Sequence, residues 1–145
     1  MESLHYLLMK ANALISRNIL SGAGKIGLTP GQPKILEYLW KFGEADQKTI
    51  ASYCEIEQTT TGSILLRMEN AGLVVRRQRE GNRRSLYVSL TQKGRDIAEQ
   101  MLDIFAQIEA VAVSGLTEDE LNQLKQLLIK VSTTVSTDLN GKKAK

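Results

Sequence analysis

Residues 58–91 read QTTTGSILLRMENAGLVVRRQREGNRRSLYVSLT, and the spacing of the apolar side chains changes once within them. Ile64, Leu65 and Met68 recur at three and four, which predicts a helix from 58 to about 71, closed by Gly72. From Leu73 the pattern becomes extended. Residues 73–78 form one predicted strand, Glu80, Gly81 and Asn82 supply turn residues, and 85–90 form a second strand with Leu86, Val88 and Leu90 on one face. The centre of the chain is therefore a helix that runs into a β-hairpin with arginines at its tip and flanks.

On the N-terminal side, Asp46 caps a predicted two-turn helix reaching Tyr53, with Ile50, Ala51 and Cys54 turned inward. A break at 55–57 separates it from the helix at 58. Two short helices joined by a tight turn make a helix-turn-helix, in which the second can enter a major groove. So short a pair needs a third helix to pack on. Thr29 as cap and Pro30 as first helical residue predict one from 30 to about 42, with Ile35, Leu36, Leu39 and Trp40 toward the core and Gly43 as its stop.

Two flanks complete the pattern. Leu4, Leu7, Leu8, Ala11, Leu14, Ile15 and Ile19 make an apolar stripe on a helix over 2–21, ended by Gly22, Gly24 and Gly27. After the hairpin, Thr91 caps a helix with Ile97, Met101, Ile104, Phe105, Ile108 and Ala112 on one side. Thr117 and Glu120 then form a capping box that opens a last helix carrying Leu121, Leu124, Leu128, Val131 and Val135, with 140–145 expected as a frayed basic tail.

The predicted fold is mainly α with a small β-hairpin wing: a winged helix-turn-helix lobe at 28–94, with dimerisation helices at 1–22 and 95–138 of one domain spanning 1–145. The run 94–113 would be about 30 Å long as a helix. One small lobe cannot cover apolar stripes on several projecting helices, so a two-fold partner is expected to do so. An intramolecular antiparallel pair is the other way to bury them.

Charge narrows the function. Residues 73–95 carry seven Lys and Arg against one acidic residue, whereas 1–72 carry seven of each and 96–145 carry five against eight. Such a local excess is the footprint of a polyanion-binding surface, or a basic face that only solvates. Catalysis would need a nucleophile or carboxylate beside a base, and the single histidine, His5, lies in the first helix, away from Cys54. His5 also lacks a second ligand at metal-binding spacing. The glycines at 22, 24 and 27 follow a helix rather than a strand, unlike a phosphate loop. No enzyme, cofactor or metal is expected. The lone Cys54 and the polar residues His5, Lys10, Asn12 and Arg17 within the first helix predict a soluble, cytoplasmic, non-membrane protein.

The stretches LTPGQ at 28–32, TIASYCEI at 49–56, LLRMENAGLVVR at 65–76 and RRSLYVSLTQKG at 83–94 together resemble the MarR family of bacterial transcription regulators. The resemblance implies a homodimer with interlocked terminal helices and an inverted-repeat DNA site. It also implies a repressor released when a small-molecule effector enters a pocket between the lobe and the dimerisation helices. Where the family's hairpin tip usually has Asp, one residue and Arg, this chain has Asn82, Arg83 and Arg84, so hydrogen bonds rather than an ion pair are expected to hold the tip. Glu57 replaces the usual helix cap, and Gly62 lies inside the second helix. Cys54 occupies the place of a core leucine and is expected to be a buried, inert thiol.

The expected DNA-binding residues are Gln58, Thr59, Thr60, Ser63 and Arg67 on the second helix, whose side chains suit base edges, and Gln47 and Lys48 near phosphate. In the hairpin, Arg84 matches the family's tip arginine and is expected in a minor groove, with Arg79 and Arg83 on phosphate. Arg76 and Arg77 leave their strand on opposite faces, so one of them is expected to brace the lobe. An effector pocket is expected from His5, Leu8, Asn12, Tyr38 and Trp40. The competing function is a winged-helix protein-interaction module without specific DNA binding.

Overall fold

The structure, a computed structural model, describes residues 1–143, and of 82–84 and 143 it describes the backbone alone. The elements in order are α1 (Leu4–Lys25), α2 (Gln32–Phe42), β1 (Ala45–Asp46), α3 (Gln47–Cys54), α4 (Gln58–Asn70), β2 (Val74–Arg79), β3 (Asn82–Leu90), α5 (Gln92–Ala112) and α6 (Glu118–Lys143). They divide into two compact units, Met1–Ile108 and Glu109–Lys145.

In the first unit the core forms where the apolar stripes meet. Ile35, Leu36 and Leu39 of α2, Ile50 of α3, Leu65 and Met68 of α4, Val74 and Val88 of the sheet, and Ala98 and Met101 of α5 are buried together. Burial of each large side chain contributes roughly 1.5–3 kcal/mol, so this cluster, rather than helix propensity, seats the short helices. Trp40, expected in the core, is 40% exposed. The buried face of α2 is centred on Ile35 and Leu39, and Trp40 stands beyond its edge.

The helix ends differ from expectation at two places. Gly22 and Gly24 do not stop α1, which continues to Lys25 because Ala23 is fully buried and Gly22 lies against Ile104, whose Cγ2 would be 2.6 Å from an added Cβ. The left-handed residue that follows is Gly27 (φ 81°). The second helix starts at Gln32 rather than Pro30, after Gly31 at φ 88°, and the Thr29 N–H donates to Gln32 Oε1 at 3.0 Å.

The hairpin belongs to a three-stranded antiparallel sheet ordered β1-β3-β2. Strand β1 was not foreseen, being two residues long; Ala45 pairs with Val88 and Asp46 with Tyr87. The β2–β3 ladder is regular from Val74↔Leu90 to Gln78↔Leu86 and then shifts to Arg79↔Asn82. A second set of bonds joins the end of α4 to the start of α5. The Thr91 hydroxyl donates to the Gly72 carbonyl at 2.6 Å, the Lys93 ammonium donates to the Ala71 carbonyl at 2.9 Å, and the Thr91 N–H donates to Leu73 O at 3.0 Å.

In the second unit, α6 opens on the expected capping box, with the Thr117 N–H donating to Glu120 Oε1 at 2.9 Å and the Glu120 N–H to Thr117 Oγ1 at 3.1 Å. It runs to Lys143, past the point where a frayed tail was expected, and Lys142 pairs with Asp138 at 3.2 Å one turn back. Leu124, Leu127, Leu128, Ile129, Val131, Val135 and Leu139 of this helix are exposed.

Candidate nucleic-acid interface

The helix-turn-helix is fixed from its caps. Asp46 Oδ1 accepts the Thr49 N–H at 2.8 Å, and hydrogen bonds from the Thr49 hydroxyl and backbone hold the Asp46 carboxyl below the usual carboxylate range. Glu55, at φ 55°, turns the chain out of α3, and α4 begins at Gln58 with no side-chain cap from Glu57. The Gln47 side chain ties the start of α3 to the start of α4, since its Nε2 donates to the Gln58 carbonyl at 3.1 Å. Gly62 lies beneath this amide: an added Cβ would be 3.0 Å from Gln47 Nε2.

One side of α4 is buried through Thr61, Leu65 and Met68. The Thr61 hydroxyl is orphaned there, without a hydrogen-bond partner. Gln58, Thr59, Thr60, Ser63 and Arg67 are exposed together on the other side, as expected. Ser63 Oγ donates to Thr59 O at 3.3 Å. Sequence reasoning missed Leu66, which is 49% exposed one turn after Ser63 and adds an apolar contact to this polar face. Its position three residues past Ser63 was the available signal. Gln47, Lys48 and Gln58 line one cleft with Ser85 and Leu86 of β3. Two of the expected phosphate contacts are thus brought beside the sheet.

The arginines of the hairpin divide by role. Arg76 braces the lobe, its Nη2 donating to Glu69 Oε1 at 3.2 Å, while Arg77 is exposed. Arg79, expected on phosphate, is held by Glu44: its Nε is 2.8 Å and its Nη2 2.6 Å from Glu44 Oε1. Its guanidinium also lies 4.2 Å from the centroid of Tyr87. The side chains of Asn82, Arg83 and Arg84 lie outside the described residues.

The five residues expected around an effector are not gathered in one described cavity. His5, Leu8, Asn12 and Trp40 are exposed, and His5 Nε2 is 3.5 Å from Ser3 Oγ. Tyr38 joins Phe42 and Tyr53 in an aromatic triangle with ring centroids 5.0–5.2 Å apart, the floor of an open cleft edged by Lys48, Thr49 and Ser52. A separate cavity of about 240 Å³ is lined by Ser16, Ile19, Pro30, Pro33, Lys34 and Phe105. Periodicity could not indicate it, because it forms where α1, α2 and α5 cross. Cys54 is buried, as expected, and burial pushes its thiol pKa up. No helix among the described residues is long and apolar enough to cross a membrane.

The family model described as MarR family matches residues 28–86. The uncharacterised HTH-type transcriptional regulator YkoM of Bacillus subtilis is 29% identical over 128 residues, covering 88% of this chain and 83% of its own length. A putative MarR family transcriptional regulator from Listeria monocytogenes, solved with a 26mer DNA, superposes with a TM-score of 0.85 at 25% identity, over 95% of this chain and 91% of that one. BpsR of Bordetella bronchiseptica, whose structure concerns regulation of DNA binding by 6-hydroxynicotinic acid, gives 0.82 at 25% identity, over 90% and 99%. These are regulators rather than enzymes, and the two solved structures superpose on nearly the whole fold described above. The chain thus carries a stretch that matches the MarR family model and is similar over most of its length to winged helix-turn-helix transcriptional regulators of that family.

Proposed function

We propose that the protein is a cytoplasmic homodimeric repressor that binds an inverted repeat in duplex DNA and releases it when a small molecule binds. The observation that carries this reading is the exposed face of α4, where Gln58, Thr59, Thr60, Ser63 and Arg67 stand together beside the basic hairpin. Gln suits adenine, Arg suits guanine, and Thr methyl groups suit thymine. Lys48 and Arg83 then contact phosphate, and Arg84 enters the adjacent minor groove.

Dimerisation uses the helices at 1–22 and 95–138 around a DNA-binding lobe at 28–94. The exposed Leu4, Leu7, Leu8 and Leu14 of α1 and the apolar row on α6 support a second copy as their cover. Two-fold symmetry in the protein predicts two half-sites about one helical turn apart. For the effector, the cavity lined by Ile19, Pro30, Pro33 and Phe105 suits a small, mostly apolar molecule, with Lys34 at hand for an anionic group. BpsR, regulated by 6-hydroxynicotinic acid, is a relative of this kind.

Selection of bound sequences from a random duplex pool tests the reading. Enrichment of an inverted repeat, bound by a dimer in sedimentation, is expected. Failure to enrich any repeat would overturn it and favour a protein-binding module.

A further inference from the structure

We infer that Arg79, Tyr87 and Glu44 form a strap across the sheet that aims the hairpin tip, so that Glu44 is a positioning residue for DNA binding and Arg79 does not contact phosphate. The inference rests on the DNA-binding reading above.

The geometry comes from the register. Tyr87 stands opposite Asp46 on one side and Arg77 on the other; Glu44 lies two residues before Asp46, toward the hairpin root, and Arg79 two residues after Arg77, toward the tip. The Arg79 side chain starts on β2, lies over the Tyr87 ring of β3 and reaches Glu44, the residue before β1. One side chain thereby links β2 and β3 to the residue that leads into β1.

Its position along the hairpin gives the strap its role. The regular ladder ends at Gln78↔Leu86, and the next pairing is Arg79↔Asn82, so residues 83–85 have no directly opposed partner on β2. From that point toward the tip the register of the ladder is irregular. Arg79 is the first residue past the regular ladder, where a tie to the lobe does most to orient the tip. Nε and Nη2 both reach Glu44 and one ring face is covered, so the guanidinium is drawn toward the lobe. The pairing also neutralises a carboxylate that would otherwise repel a duplex at this edge.

The test measures binding of Glu44→Gln, Arg79→Gln, the double variant and Arg84→Ala to the selected duplex by fluorescence anisotropy over a range of salt. Amide hydrogen exchange at 79–86 is followed without DNA. Glu44→Gln and Arg79→Gln are each expected to weaken binding about five-fold, with the double no weaker than either single, because both break one link. Both should speed exchange at the tip. Their salt slopes should match the parent, whereas a lost phosphate contact lowers the slope by about 0.9. A slope reduced by that amount in Arg79→Gln, with Glu44→Gln binding unchanged or tighter, would overturn the strap. Unchanged exchange in both variants would overturn it as well. A parent protein that shows no salt-dependent duplex binding would instead overturn the DNA reading, and the strap's role in aiming with it.

Discussion

The helix α4 and the β2–β3 hairpin both present polar chemistry, yet they are supported in different ways. Helix α4 is seated by Leu65 and Met68, each fully buried, so its exposed face is fixed by packing on its opposite side. The hairpin has a buried root at Val74 and Val88, but toward its tip the ladder becomes irregular and an ionic link to Glu44 takes over. Packing fixes direction to within a rotamer, whereas an exposed ion pair contributes little and weakens with salt. The contrast implies that the placement of α4 withstands surface change and fails with core damage, while the placement of the hairpin tip responds to single surface charges and ionic strength.

Four substitutions sharpen or break that contrast. Met68→Ala should destabilise the fold most, by about 2–5 kcal/mol in denaturant unfolding, because it leaves a cavity under α4. A loss well below that range would mean that packing does not seat the helix. Gly94→Ala comes next, at about 1–3 kcal/mol, since a Cβ there would collide with the Leu73 carbonyl at the hairpin root. A melting temperature unchanged by it would show that the root yields.

Thr61→Val should stabilise by on the order of 1 kcal/mol, because it keeps the shape of the side chain and removes a buried hydroxyl with no partner. If Val destabilised, the hydroxyl would have a role in the folded protein. The smallest effect belongs to Asp46→Asn. The folded pKa of Asp46 lies below its ordinary value of 3.8, so the carboxylate's contribution is complete above that pH and is lost as pH falls through the folded value. Melting temperatures of parent and variant should therefore differ near neutrality and converge in acid. A constant gap across pH would assign the effect elsewhere.

Much of this architecture was legible because its causes are local. The stripes at Ile50 and Cys54 and at Leu65 and Met68, the Asp46 cap and the Thr117–Glu120 box each follow from residues within about two turns. What escaped depends on distant partners. Glu44 and Arg79 are 35 residues apart, and nothing near either one signals the other. Strand β1 is too short to show alternation, and Gly22 is explained only by Ile104 from another helix. The exposed polar residues of α4 were readable as the complement of its buried stripe. The expected effector pocket was not, since a cavity depends on how helices cross rather than on which faces are apolar.

The bonds that tie the end of α4 to the start of α5 have a mechanical consequence. Thr91 and Lys93 hold the carbonyls of Gly72 and Ala71, and Leu73 O accepts the Thr91 N–H. Residues 71–73, which follow α4, and Thr91 and Lys93 at the start of α5 therefore behave as a crank. A twist of α5 about its own axis turns the C-terminal end of α4 directly, without first loosening the hydrophobic cluster between them.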